Sequence, residues 1–138
     1  MEVSRLFIDT GAFVATELPR DQYYQQSRQT WLQLSVSAIR LYSSDAVFQE
    51  TMVFLHHRAG PESAIRWAEA HLQSKLISWL PVEAQARRSA LPWMKKFADQ
   101  AVSFVDATSF VLMRRENIRH VFSFDRHFAA AGFRLWPD

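Results

Sequence analysis

The chain contains no cysteine, so a disulfide framework, a thiolate zinc site and a cysteine nucleophile are all excluded. A reducing compartment fits that usage. Glycine is scarce, with three in 138 residues, and the composition is not that of a disordered or low-complexity chain. No run of about 18 apolar residues is present to span a bilayer. The opening stretch from Met1 to Ile8 carries Glu2 and Arg5 and is too short and polar for a secretory signal. These absences lead to the expectation of a soluble, cytoplasmic protein with no membrane association. Lysine is missing from the whole segment after Lys96.

What the chain does have is apolar bulk. Hydrophobic residues make up 49%, with eleven Phe and five Trp, against 22% charged residues. A chain of this length buries about two-thirds of its unfolded surface in one core, so residues 1–138 are read as a single domain. The formal charge is only +2, but basic residues cluster at Arg87-Arg88, at Lys95-Lys96, and at Arg114-Arg115 with Arg119. Such clusters are compatible with a nucleic-acid partner and equally with solvated helix faces.

Strand and helix signals alternate along the chain. Glu2 to Ile8, with its VSRLFI core, reads as a strand buried on both faces. Asp9 ends it, and a helix begins with Ala12, Phe13, Val14 and Ala15. Pro19 breaks that helix, and Asp21 through Ser37 forms another, with Tyr24, Trp31, Leu34 and Ile39 as inward positions. Arg40 to Ser43 is a second strand. A helix starting at Ser44-Asp45 carries Ala46, Val47, Met52, Val53 and Leu55, with Glu50 among them. Glu62 to Gln73 is a helix with Ile65, Trp67, Ala68 and Leu72. Leu76 to Leu80 is a third strand, and Val82 to Phe97 is helical apart from a break expected at Pro92.

Ser103 to Glu116 reads as an amphipathic helix with Asp106 in its first turn. Ile118 to Phe124 is a strand ending at Asp125. Arg126 to Ala131 is a short helix capped by Gly132, and Phe133 to Trp136 is a last strand. This alternation favours α/β architecture with a mostly parallel sheet of four to five strands flanked by helices.

Four acids stand out: Asp9 and Asp125 after strands, Asp106 at a helix start, and Glu50 inside a packed helix. Each has an ordinary alternative. Asp9 and Asp125 are plausible helix caps, and Asp106 suits a helix N-terminus. Glu50 is the hardest to explain, because an acid inside a packed helix is costly unless paired, metal-bound or solvated. In a parallel sheet the carboxyl ends of the strands share one edge, where the four can meet in a cleft. Clustered carboxylates raise one another's pKa unless a cation intervenes, and a hard divalent ion such as Mg²⁺ or Mn²⁺ suits an all-oxygen site. His56 and His57 are adjacent, point to different faces and lack a third ligand at metal spacing, so they are read as cations at a helix C-terminus.

The segments LFIDTGAFVA, DAVFQETMVFLHHRAG, SFVDATSFVLMRRENI and VFSFDRHFAAAGF, in this order and spacing, resemble PIN-domain ribonucleases, and most closely the VapC-type toxins of toxin–antitoxin pairs. The resemblance covers essentially the whole chain. It implies a PIN-like α/β/α sandwich and metal-dependent endoribonucleolytic hydrolysis leaving 5′-phosphate and 3′-hydroxyl ends. Asp9, Glu50, Asp106 and Asp125 match the family's acidic quartet, which binds Mg²⁺ or Mn²⁺ directly or through water. Thr10 and Ser123 match its supporting hydroxyls, and Asp99 resembles a structural acid. Arg114, Arg115 and Arg126 are candidates to neutralise substrate phosphates. The resemblance further implies an RNA substrate, a cognate antitoxin protein and a homodimer, with aromatics such as Trp31, Trp67 and Phe54 available either to such surfaces or to the core.

Two other readings compete. One is a non-catalytic PIN-like module that binds RNA or protein, against which the intact quartet argues. The other is a phosphotransfer domain with Asp after its first strand. A dehalogenase-like phosphatase needs a second acid two residues on, where this chain has Gly11. A receiver needs a late lysine, and none follows Lys96.

Overall fold

The computed structural model describes residues 2–137; of the expected domain, Met1 and Asp138 lie outside the described residues. Five strands form one sheet in the order β3-β2-β1-β4-β5, every neighbouring pair parallel. The strands are β1 (Arg5–Ile8), β2 (Arg40–Ser44), β3 (Ile77–Leu80), β4 (His120–Phe122) and β5 (Arg134–Leu135). The helices are α1 (Thr10–Glu17), α2 (Tyr24–Ser35), α3 (Asp45–Ala59), α4 (Pro61–Gln73), α5 (Ala84–Lys96), α6 (Phe104–Arg115) and α7 (His127–Ala130). The sheet is thus wholly parallel, where the sequence suggested mostly parallel.

β1 is the central strand, and Leu6, Phe7 and Ile8 are fully buried, as its unbroken apolar run requires of a strand covered on both faces. From β1 the chain steps outward to β2 and β3, then returns to lay β4 on the other side of β1. Right-handed crossovers, the rule for parallel strands, put α1 to α4 on one face and α5 and α6 on the other. The packing follows that division. α1 touches α2 and α3, α3 touches α4, and α5 packs along α6. The reversal of strand order falls between β1 and β4, the position where open parallel sheets bind ligands beyond their carboxyl ends.

Aromatic residues fill both layers. Phe13 of α1 packs against Trp67 at 5.2 Å, Trp79 at 5.7 Å and Trp31 at 5.8 Å. Phe110 of α6 meets Phe128 at 5.0 Å, Trp93 at 5.2 Å and Phe133 at 5.8 Å. Trp67 is therefore core, and Trp31 is half-buried against it. Val53, Ile65 and Leu72, named among the apolar residues of their helices, are exposed.

The expected break at Pro92 does not occur, and α5 runs unbroken through it. Proline removes one bond to the carbonyl four residues back. Here that carbonyl belongs to exposed Arg88, and Pro92 is exposed too, so the break in the ladder lies on the exposed side of α5 while the helix keeps its packing along α6. The second helix is shorter than expected, with Asp21 in a turn whose carboxylate accepts from the Tyr23 backbone N–H at 2.8 Å. Four of the five strands are also trimmed, because sheet pairing begins at Arg5↔Arg40 and on the β4 side covers only Leu6 to Ile8, whereas β2 runs one residue further than expected, to Ser44. Among the described residues, no helix is long and apolar enough to cross a membrane.

Candidate active site

Asp9 stands at the hinge between β1 and α1. Its backbone N–H extends the sheet by donating to Phe122 of β4 at 3.1 Å, while its carbonyl accepts from Ala12 at 3.1 Å in the first turn of α1. The backbone job of an N-cap is thus done, but the side chain makes no capping bond. Instead Oδ2 accepts from the Ser123 hydroxyl at 2.9 Å, and Oδ1 is buried with no hydrogen-bond partner. Burial pushes the Asp9 carboxyl up from 3.8 to about 8, the charges of Asp106 and Glu50 push the same way, and the Ser123 hydrogen bond opposes them.

Ser123 joins two of the acids. Its hydroxyl donates to Asp9 and accepts from the Asp125 backbone N–H at 3.0 Å. It is buried at the end of β4 beside the end of β1, so the pairing of these strands sets the spacing. Asp125 Oδ1 in turn accepts from the His127 backbone N–H at 2.9 Å, and His127 Nδ1 lies 2.7 Å from the same oxygen. The capping alternative for Asp125 is therefore realised in part, as a turn leading into α7.

Asp106 is the third residue of α6, inside a reciprocal capping box. Its N–H donates to Ser103 Oγ at 3.1 Å, and its Oδ2 accepts from the Ser103 N–H at 3.0 Å. That box fixes the carboxylate at a helix N-terminus. Burial raises its pKa first, and Asp125 adds to the rise, against the lowering effects of the Ser103 bonds and His127.

Glu50 reaches the group from α3, which starts directly at the end of β2. Ser44 caps that helix by accepting from Val47 at 3.1 Å, and Ser43 ties it to β1 by donating to the Ile8 carbonyl at 2.8 Å. Burial raises Glu50, the nearby Thr10 hydroxyl opposes, and Asp106 raises it further. Thr10 is close enough to act on Glu50 but makes no hydrogen bond of normal geometry, and its Oγ1 is buried.

All four acids and Thr10 line one cavity of about 750 Å³, whereas Ser123 sits behind Asp9 and helps to hold it. Three of the four carboxyls are displaced upward, each with burial as the leading cause and another member of the group contributing. Like charges in a shared low-dielectric site cannot all ionise without a countercharge, so the cavity is a place of unsatisfied negative charge. Among the described residues, no three acids or histidines are close enough to form a ready metal cage.

Of the three candidate arginines, Arg126 lines the cavity. Arg114 and Arg115 are not brought there. They sit at the far end of α6, roughly 12 Å along its axis from Asp106. Arg114 donates to the Ala131 carbonyl and covers Trp93 at 5.2 Å, and Arg115 pairs with Glu116 at 3.4 Å. Asp99 is exposed in the turn after α5, away from the cavity. His56 and His57 are exposed in the last turn of α3. Arg58, Phe54, Tyr23, Phe124 and His127 also line the cavity. Of these, only Phe54 was named from the sequence as a candidate surface residue, and Phe124 was named only as a strand end. The His two residues after Asp125 was the available signal for His127, since an aspartate commonly bonds the backbone two residues on.

Comparison with known proteins gives a concordant result. The PIN domain family model matches residues 6–134. A curated protein of Mycobacterium tuberculosis, the 23S rRNA-specific endonuclease VapC20, is 30% identical over 128 residues, covering 93% of this chain and 95% of that protein. The crystal structure of M. tuberculosis VapC20, described as a Sarcin-Ricin loop cleaving toxin, superposes with a TM-score of 0.84 at 30% identity and the same coverage. FitAcB from Neisseria gonorrhoeae shares the fold, with a TM-score of 0.66 at 17% identity over 94% of this chain and 95% of that one. So does VapBC2 from Rickettsia felis bound to a promoter DNA fragment, at 0.67 and 11% identity, with 95% and 96% covered. With the family model spanning nearly the whole chain and the acids gathered at the sheet's switch point, the chain belongs to the PIN-domain family and, within it, to the VapC type.

Proposed function

We propose that this protein is a metal-dependent endoribonuclease that hydrolyses RNA phosphodiester bonds, acting as the toxin of a toxin–antitoxin pair. The observation that carries the reading is the convergence of Asp9, Glu50, Asp106 and Asp125, from four separate elements, on one cavity, where burial and neighbouring carboxylates raise the pKa of Asp9, Glu50 and Asp106. Structural carboxylates find partners, whereas Asp9 Oδ1 is buried without one.

The residues fit a hydrated divalent cation. Mg²⁺ ordinarily takes one or two carboxylates directly and keeps several waters, so a cluster too open for a closed cage is suited to it, and Mn²⁺ accepts the same oxygen ligands. Asp9, Asp106 and Asp125 would hold the ion, with Glu50 on an ion-bound water. When bound, such an ion neutralises the cluster, acidifies water and polarises a phosphate oxygen.

The chain's own residues do the rest. Ser123 holds Asp9 and Asp125 in one register, and the Ser103 box fixes Asp106. Glu50, half-buried with a raised pKa, is suited to accept a proton from the attacking water. Arg126 is placed at the cavity to meet a substrate phosphate. The expected products carry 5′-phosphate and 3′-hydroxyl ends.

Ribosomal RNA is the first substrate to try, since the M. tuberculosis relative is named for 23S rRNA, and the cytoplasm is where that substrate resides. An antitoxin partner and a homodimer belong to the same proposal. The antitoxin is supported by the VapBC complex among the similar structures, and the exposed apolar side chains of Val53, Ile65 and Leu72 offer surface for either contact. Purified protein incubated with ribosomal RNA and Mg²⁺ or Mn²⁺ should give discrete fragments that disappear with EDTA. Uncut RNA under every metal condition, across ribosomal and transfer RNA, would count against the enzyme and favour a binding module.

A further inference from the structure

A second cleft, of about 550 Å³, opens directly beside the acidic cavity and shares Tyr23, Phe124 and Arg126 with it. Its chemistry is the reverse of its neighbour's. Beyond the shared rim it is lined by Gln26, Arg134 and Trp136 among others, and none of its described lining residues is a carboxylate. Two arginines, one at the rim and one on β5, bound a space with aromatic walls.

Those walls are held in place. Tyr23 and Phe124 stack face to face, with centroids 4.2 Å apart and planes 1° from parallel. Phe124 also packs edge-on against Phe122 of β4 at 5.9 Å. Across the cleft, Trp136 is half-buried, and its backbone N–H donates to the Val121 carbonyl at 2.8 Å. The Arg134 N–H donates to the Arg119 carbonyl at 2.9 Å. Arg134 is thus mounted on β5, and Phe124 and Trp136 follow closely on the ends of β4 and β5, while Tyr23 comes from the turn before α2 and Arg126 from the turn before α7.

An aromatic slot flanked by guanidinium groups, with no carboxylate among the described residues that line it, matches single-stranded nucleic acid, whose bases stack on π-faces while phosphates meet arginine. A polyanion entering a cavity of four acids also needs positive charge outside it to stay bound. We propose that this cleft is a nucleobase subsite, in which an unpaired base next to the scissile phosphate inserts between the Tyr23/Phe124 pair and Trp136, with Arg126 and Arg134 on the adjoining phosphates. The proposal deepens the ribonuclease reading and rests on it for the identity of the scissile phosphate. It makes the cleft, rather than the acids, the source of preference for an unpaired site.

The test combines cross-linking with kinetics. Asp106→Asn protein, used so that the RNA survives, is irradiated with a short single-stranded RNA containing thiouridine, and the cross-linked peptides are mapped. Adducts are expected on Tyr23, Phe124 or Trp136. In otherwise wild-type protein, Arg134→Gln, an exposed position, should raise KM for a cleaved RNA about tenfold while kcat holds, as loss of uniform binding requires. Trp136→Leu should do the same, with a thermal melt to establish that it folds.

Adducts confined to other surfaces, together with an unchanged KM in Arg134→Gln, would overturn the subsite while leaving the nuclease standing. Adducts in the cleft of a protein that cuts no RNA would keep the subsite and remove the nuclease. If RNA gives no adduct and Arg134→Gln instead releases a co-purified acidic protein, the cleft belongs to that partner and the proposal fails.

Discussion

The acidic cavity and the aromatic core lie a few residues apart along the same strands, yet they follow opposite rules. Leu6, Phe7 and Ile8 of β1 are buried among apolar neighbours, and the next residue, Asp9, is buried too, with one oxygen unpartnered. Phe122 of β4 is core, and Ser123 beside it serves the acids. The core stabilises the fold by burial. The cavity works against it, because desolvated like charges destabilise a folded state that has no cation. The contrast teaches that the acids are placed by the core and are not part of what holds it together.

The largest effects should come from removing either side of this comparison. Asp106→Asn and Asp9→Asn are expected to lower RNA cleavage by on the order of a thousandfold or more, while circular dichroism shows the fold intact. Phe110→Ala, conversely, should cost about 3–5 kcal/mol in denaturant unfolding without changing cleavage by the fraction that remains folded. A cavity variant that unfolds, or a core variant that abolishes cleavage while folded, would break the separation.

Ser123→Ala tests the join between the regions. A hydroxyl that orients metal ligands is expected to be worth about 10–100-fold in activity or metal affinity, with only a modest change in stability. Cleavage at the wild-type rate would show that β4 does not need Ser123 to set the acids.

A smaller effect sharpens the electrostatic half. The folded protein holds the Asp9 proton up to about 8, whereas the unfolded chain releases it near 3.8. Over that window the folded state binds more protons, so the stability of the metal-free protein falls as pH rises. The raised Glu50 and Asp106 act in the same direction. Asp9→Asn should therefore melt above wild type at the alkaline end, by about 2–4 °C per kcal/mol, with the gap closing on acidification. A pH-independent gap would contradict the assigned cause. The smallest effect is expected at Arg115, whose exposed pair with Glu116 should contribute about 0–1 kcal/mol and nothing to cleavage.

The sequence made some of this plain and hid the rest for physical reasons. The bounds of α6 were legible from apolar residues at helical spacing, and the structure adds the reason for its sharp start, a capping box between Ser103 and Asp106. The alternation of strands and helices fixed the sheet class, and the resemblance pointed to four acids that do share a cavity. Pro92 misled because its cost depends on whether the freed carbonyl reaches water, which only the exposed face of α5 decides. The arginines divided for a geometric reason, since Arg114 and Arg115 share a helix with Asp106 but lie at its opposite end. The role of Tyr23 and Phe124 was invisible, because their stacking joins the turn before α2 to the end of β4, a contact between distant segments that no local pattern encodes.

The most direct test of the central claim, that the four acids form one cation-demanding site, is calorimetric titration with Mn²⁺ near neutral pH in buffers of different ionisation enthalpy. Wild type is expected to bind the metal and release a proton as Asp9 ionises, and Asp9→Asn to bind more weakly without that release. Metal binding with no proton release, or the same isotherm in Asp9→Asn, would contradict it.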